Sequence, residues 1–238
     1  MKLGIFVIYF QNFVKMYDIF KMKNDNGRNL MMRPRQNLQK TKNLAAVSLL
    51  TALLIVLSMT PLGYLNIGPL AITLNVIPVA IAGIVLGPTG GAVLGAVFGI
   101  TSFLQAMGIG GASAMGLICF EISPLLTFVH RVFSRILAGY LTGWCFRLIS
   151  KRAHIAASSA ITGFVAAFLN TVFFMVSLLL CFGNTEYIQG LIGGQNLLLF
   201  VCTFVGINAV FEMIAGALVS CALGSALYRA KMIHIKKG

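Results

Sequence analysis

Two arginines sit in an otherwise apolar stretch, FVHRVFSRILAG: Arg131 and Arg135, four residues apart. On a helix that spacing puts both guanidinium groups on one face. A guanidinium is planar, always charged, and grips a carboxylate through two parallel hydrogen bonds. The pair therefore reads as a site for a small anion, facing a cavity. The competing reading has Arg131 reaching out to polar headgroups while Arg135 pairs internally with Glu121 or Glu212. Asn208 and Glu212 repeat the four-residue spacing, and Asn75 and Asn170 add two more amides to apolar sequence. Buried amides need partners, from a ligand or from a neighbouring helix. Asn170 and Asn208 serve either as ligand contacts or as interhelical glue. Glu212 is either a ligand contact or the counter-ion of Arg135.

Other chemistries lack their residues. No GxxxxGK[ST] phosphate loop occurs, so the chain is not its own ATPase by that route. Asp occurs only at Asp18 and Asp25, which leaves no aspartate dyad in the apolar part. GASAMG departs from the GxSxG nucleophile pattern, with Met115 where the second Gly belongs. His130, His154 and His234 are too dispersed for a metal site. Cys119, Cys145, Cys181, Cys202 and Cys221 are scattered through apolar segments and read as small packing residues. The expectation is no enzyme, no cofactor and no metal.

The elements that must position these groups are membrane helices. The 238 residues are 58% hydrophobic and 10% charged, with mean hydropathy +0.92. A soluble domain carries about a quarter charged residues. The length accommodates about six helices of roughly 20 residues each. The formal charge of +13 resembles a nucleic-acid signal. Its Lys and Arg residues, however, flank the apolar segments, which is how membrane topology is encoded, so no nucleic-acid partner is expected.

The expected fold is all-α: a polytopic membrane protein of six transmembrane helices with both termini cytoplasmic. Residues 1–42 form a basic tail holding half of the Lys and Arg, 43–230 the membrane domain, and 231–238 a second basic tail. Met1 to Phe20 reads as an interfacial helix, or else the first 30 residues precede a true start at Met31 or Met32. Span one runs from about Leu44 to Pro61, with Tyr64 to Pro69 as an outer connection. ITLNVIPVAIAGIVLGPTGGAVLGAVFGITSF, Ile72 to Phe103, reads as spans two and three, turning at Gly87 and Pro88. Gly91, Gly95 and Gly99 recur every four residues on the second arm, a face another helix can approach closely. Met107 to Pro124 reads as a Gly-rich outer loop that folds over the protein, and Gly183 to Gln195 as another. Spans four, five and six run from about Leu125 to Ile149, Ile155 to Cys181 and Leu197 to Leu227. Span four enters from outside, which puts Arg131 and Arg135 one to three turns below the outer surface. A charged side chain near mid-bilayer costs about 2.5–3.5 kcal/mol even on mild insertion scales, so this face should avoid lipid.

The hairpin, the Gly-rich loop, SPLLTFVHRVFSRILAGYLTG, FLNTVFF and NAVFEMIAGALV together resemble the substrate-binding S components of energy-coupling factor (ECF) vitamin transporters. The likeness covers about residues 42 to 230 and is greatest to the pantothenate type. It implies a six-helix fold with a vitamin pocket near the outer side, built by spans four to six and the outer loops. It implies as partners a transmembrane coupling protein and two cytoplasmic ATPases, in the plasma membrane of a bacterium. Span one of the family carries small residues, often Ala-x-x-x-Ala, that dock on the coupling protein. Here Ser48 and Ala52 have that spacing, whereas Ala45 and Ala46 are followed by Leu49 and Leu50. The arginines and the resemblance agree on an anionic vitamin, pantothenate first, with folate, biotin or a pyridoxine-like compound as alternatives. Phe103, Phe120, Phe168 and Phe174 are candidates to stack on a ring-bearing ligand. A stand-alone secondary transporter, with Glu212 as its proton-coupling carboxylate, is the reading from a different class.

Overall fold

The organising element is the glycine hairpin. In the computed structural model, which describes residues 34–60, 64–66, 71–110, 113–230 and 232–233, the helical run α2 (Val76–Ala106) breaks at Gly87. Gly87 adopts φ 74° and ψ −162°, a conformation essentially reserved for glycine. Pro88 follows, with no N–H to continue the first helix. The chain reverses there: the Cα of Gly83 lies 3.5 Å from where a Cβ on Gly91 would stand. The run is thus two antiparallel arms, 76–86 and 88–106. The first arm has 11 residues, or about 16 Å of helix, only half the hydrocarbon thickness.

The remaining elements are α1 (Pro34–Met59), strands β1 (Tyr64–Asn66) and β2 (Ala71–Thr73), α3 (Ala114–Ile122), α4 (Pro124–Ile149), α5 (Ile155–Phe182), α6 (Glu186–Ile192) and α7 (Leu197–Arg229). The two strands pair antiparallel, Tyr64 opposite Thr73 and Asn66 opposite Ala71. They add one short ladder to a fold that is otherwise all helical, as expected. Ile72 and Thr73, expected to open a helix, are strand, because β1 supplies the backbone partners that a helix would have supplied from within.

Both expected outer loops contain helices. Ser113 caps α3 by accepting from the Gly116 N–H. Ser123, in extended conformation, ends α3 and caps α4, with Pro124 at the first turn. Thr185 caps α6, and left-handed Gly193 ends it. Glycine content suggested loops, but serine and threonine caps flanking short apolar runs decided for helix.

The chain divides into two compact units, Met1–Lys42 and Asn43–Gly238. The expected interfacial helix at 1–20 and the far C-terminal tail lie outside the described residues. Within the larger unit α4 packs on α2 and on α5, and α5 packs on α7. The α2–α4 contact is a backbone seam. Cβ atoms added at Gly91, Gly95 and Gly99 would meet the backbone of Gly139, Arg135 and Val132 in turn. Gly143 likewise abuts Gly87 and Pro88. A second glycine pair, Gly163 and Gly216, brings α5 and α7 into contact. Such small-residue seams hold helices together where the solvent is lipid and apolar burial drives nothing.

Among the described residues four helical segments are long and apolar enough to cross a membrane: Thr41–Met59, Val76–Ala106, Ile155–Phe182 and Asn208–Arg229. Helix α4 has the length but carries the arginines. Its surface is inverted relative to a soluble helix. Leu125, Phe133, Leu137, Tyr140, Trp144 and Leu148 are exposed, whereas Thr127, His130, Arg131, Ser134, Arg135 and Thr142 are buried. Apolar outside and polar inside is the arrangement hydrocarbon selects.

Candidate functional site

The buried face of α4 holds Arg131 and Arg135, 4% and 7% exposed. Arg131 does not reach outward. Its Nη1 donates to the carbonyl and the hydroxyl of Ser102, at 2.9 and 2.8 Å. Ser102 lies on the second arm, three residues beyond the glycine seam. Because that seam lets the backbones touch, the short serine side chain suffices to meet the guanidinium. The other end of Arg131 abuts α3: a Cβ on Gly116 would fall 2.6 Å from Nη2. Helix α3 therefore packs against the Arg131 guanidinium.

Arg135 turns back along its own helix and donates to the Arg131 carbonyl at 3.0 Å. Its guanidinium lies between two aromatic rings, Phe98 at 4.7 Å and Phe174 at 5.2 Å. Each such contact contributes about 0.5–2 kcal/mol, more as water is excluded. With rings beside it, the guanidinium offers a carboxylate its edge, where the N–H donors lie. Phe174 in turn packs on His130, 4.7 Å between centroids, and His130 Nδ1 shares a 2.6 Å hydrogen bond with the Ser177 hydroxyl. The aromatic and hydroxyl groups that fix Arg135 thus come from α2 and α5.

Glu212, on α7, accepts from the Thr73 backbone N–H at 2.6 Å. The readings of Glu212 from sequence, as ligand contact, counter-ion or proton-coupling carboxylate, omitted this role of tethering β2. Asn208, one turn earlier, is buried on the same helix. Asn75 is fully buried between β2 and the first arm. Asn170 is half-buried on α5. Glu121 is exposed and away from this set, as is Phe168. Phe103 packs with Phe120 and Phe128 instead of stacking on the arginines. Ser48 and Ala52 are exposed on α1. No group of His, Cys, Asp or Glu able to hold a metal occurs among the described residues.

Sequence reasoning missed Thr73, Phe98, Ser102 and Ser177. Only Ser102 left a signal, as a polar residue directly after the small-residue face. The arrangement is a buried cationic centre flanked by aromatic rings and abutted by a short helix. Chemically it can hold an anion away from water.

The chain matches the family model for the ECF transporter substrate-specific component over residues 42–224. It is 30% identical over 198 residues to the pantothenate transporter PanT of Leuconostoc mesenteroides subsp. mesenteroides, covering 79% of this chain and 93% of that one. It is 26% identical over 206 residues to the pantothenic acid transporter PanT of Lactococcus lactis subsp. cremoris, covering 81% of this chain and 96% of that one. With helices apolar enough to span a bilayer and an inverted α4, this multi-pass membrane protein belongs to the substrate-specific components of ECF transporters.

Proposed function

We propose that the protein captures a small anionic vitamin, pantothenate, at the outer side of a bacterial plasma membrane for uptake driven by ATP hydrolysis on partner subunits. The observation that carries this reading is the buried arginine pair. Arg135 is held between Phe98 and Phe174, and Arg131 by Ser102, in a chain related to two proteins named for pantothenate. Pantothenate carries a carboxylate on a flexible aliphatic body, which suits a guanidinium edge at the end of a largely apolar site. Arg131, Arg135, Asn75, Asn170, Asn208 and Glu212 are the proposed ligand residues. The proposed partners are a transmembrane coupling protein, docked at Ser48 and Ala52, and two ATPases.

The membrane arrangement we infer has six membrane segments, α1, the two arms of α2 (the first a half-length helix continuing the chain from β2), α4, α5 and α7, with both termini cytoplasmic. Basic residues support it: Arg147 lies in the last turn of α4, Lys151 and Arg152 follow it, and Arg229 ends α7. The Arg147 guanidinium lies against Gly87, so the hairpin turn is at that same basic end.

Calorimetric titration of the purified protein tests the ligand. Pantothenate is expected to bind, Arg135→Ala to weaken it more than tenfold, and Lys151→Ala to leave it unchanged. Unaltered affinity in both Arg131→Ala and Arg135→Ala proteins would refute the anion site. Uptake that persists in vesicles without any ATPase and collapses with the proton gradient would instead make the chain a secondary transporter.

A further inference from the structure

Asn75 is 0% exposed, and neither its Nδ2 nor its Oδ1 has a hydrogen-bond partner among the described residues. The hydroxyl oxygen of Thr73, two residues earlier, is buried in the same condition. Buried donors and acceptors left unpaired are strongly disfavoured, and those that persist call for an explanation.

Asn75 stands at the start of a helix, where an asparagine normally accepts from the second or third N–H of the first turn. Here the backbone gives it nothing to do. Asn75 is itself in helical conformation, φ −64° and ψ −19°, and makes no capping bond. The Ile77 N–H already donates to the Leu74 carbonyl at 3.0 Å. Residue 78 is proline and has no N–H. The carboxamide is thus released from the fold that carries it.

It stands at the depth of the Arg131 turn of α4. The hairpin turns at Gly87, with Gly83 against Gly91, so continuing the register sets Asn75 at about the depth of Gly99. The Cβ position of Gly99 is 2.9 Å from the Arg131 carbonyl. Thr73 is tied through its backbone N–H to Glu212 on α7.

We propose that Asn75, with Thr73, forms the neutral pole of the ligand site: its carboxamide pairs with an uncharged amide or hydroxyl of a ligand whose carboxylate lies at the arginines. This rests on the anion-binding reading above. A carboxamide presents a donor and an acceptor side by side, which complements a secondary amide or a pair of hydroxyls. An acid with a purely apolar tail leaves both atoms unpaired and is rejected. The site thereby selects a ligand polar at both ends.

The full chain in detergent is titrated with pantothenate, with panthenol (the same molecule with an alcohol replacing the carboxylate) and with hexanoate, and its apo Tm is measured. Wild type is expected to bind pantothenate, panthenol more weakly, and hexanoate not detectably. In Asn75→Leu, where shape is kept and the unpaired atoms removed, the apo Tm is expected to hold or rise. Affinity for pantothenate and for panthenol is expected to fall by a common factor of more than ten. Arg135→Ala is expected to lose pantothenate while changing panthenol less than threefold. An unchanged pantothenate affinity in Asn75→Leu overturns the neutral pole alone. A lowered apo Tm or failure to fold in Asn75→Leu also overturns it, since the carboxamide then serves the fold. Hexanoate binding as tight as pantothenate overturns it too. Failure of wild type to bind either pantothenate or panthenol overturns both this inference and the reading beneath it.

Discussion

At the scale of single residues, the site depends on how Arg131 and Arg135 are held. A guanidinium loses hydration when buried and needs compensation from several directions. Ser102 and the Arg131 carbonyl give hydrogen bonds, and Phe98 and Phe174 give ring faces. Gly116 matters by having no side chain. A valine there drives methyl groups into Nη2 of Arg131, and either the guanidinium or α3 must move. Gly116→Val is expected to weaken pantothenate binding at least tenfold in titration. Gly190→Ala on α6, where an added Cβ meets nothing within 4 Å, is expected to change it less than twofold. Equal affinities in the two proteins would show that α3 does not control Arg131.

Elements divide between those that build the site and one that faces away. The second arm of α2 and α4 meet backbone to backbone along the glycine seam, which fixes the depth and rotation of both arginines. Helix α1 is attached differently. At its C-terminal end the Gln105 amide donates to the Ser58 carbonyl at 2.6 Å, and the hydroxyls of Ser58 and Thr101 share a 3.3 Å hydrogen bond. Along its opposite side Ala45, Ser48, Leu49, Ala52, Leu53 and Val56 are exposed in a continuous stripe with small residues at its middle. That stripe is the docking face proposed for the coupling protein. Ser48→Phe is expected to abolish co-purification of the coupling protein while leaving pantothenate affinity within twofold. Recovery of the complex at normal yield would rule the stripe out.

For the whole molecule, charge distribution and packing describe one orientation. The cationic site lies toward the α3 end of α4, whereas Arg147 and the hairpin turn lie at the other end. A ligand arriving from the side opposite the basic loops meets α3 and the strand pair first. A fluorescent protein fused after the last residue is expected to be bright, and an alkaline phosphatase fused between α3 and α4 active, because the two reporters mature on opposite sides of the membrane. The reverse pattern would invert the topology and separate the arginines from the outer solution.

The sequence by itself determined the class and much of the layout. Composition, the flanking Lys and Arg, and the Gly-Pro break at residues 87–88 are local properties that hydrocarbon acts on directly, so spans and turns could be read from them. The same holds for the arginine pair, since two charges on one apolar helix have few tolerable destinations. Their partners were not legible. Ser102 lies 29 residues from Arg131, Phe98 and Phe174 flank Arg135 from different helices, and Thr73 lies 139 residues from Glu212. Such contacts follow from how the helices cross, which no local pattern encodes. Short helices α3 and α6 and the two strands escaped for a related reason. Their stability comes from packing, as where Met115 and Cys119 of α3 meet Ile188 and Ile192 of α6 in one buried cluster with Met175 and Phe182. Only the tertiary structure decided that Ser102 meets Arg131 and that Phe98 and Phe174 flank Arg135. It does so because glycine seams let these backbones come closer than side chains ordinarily permit.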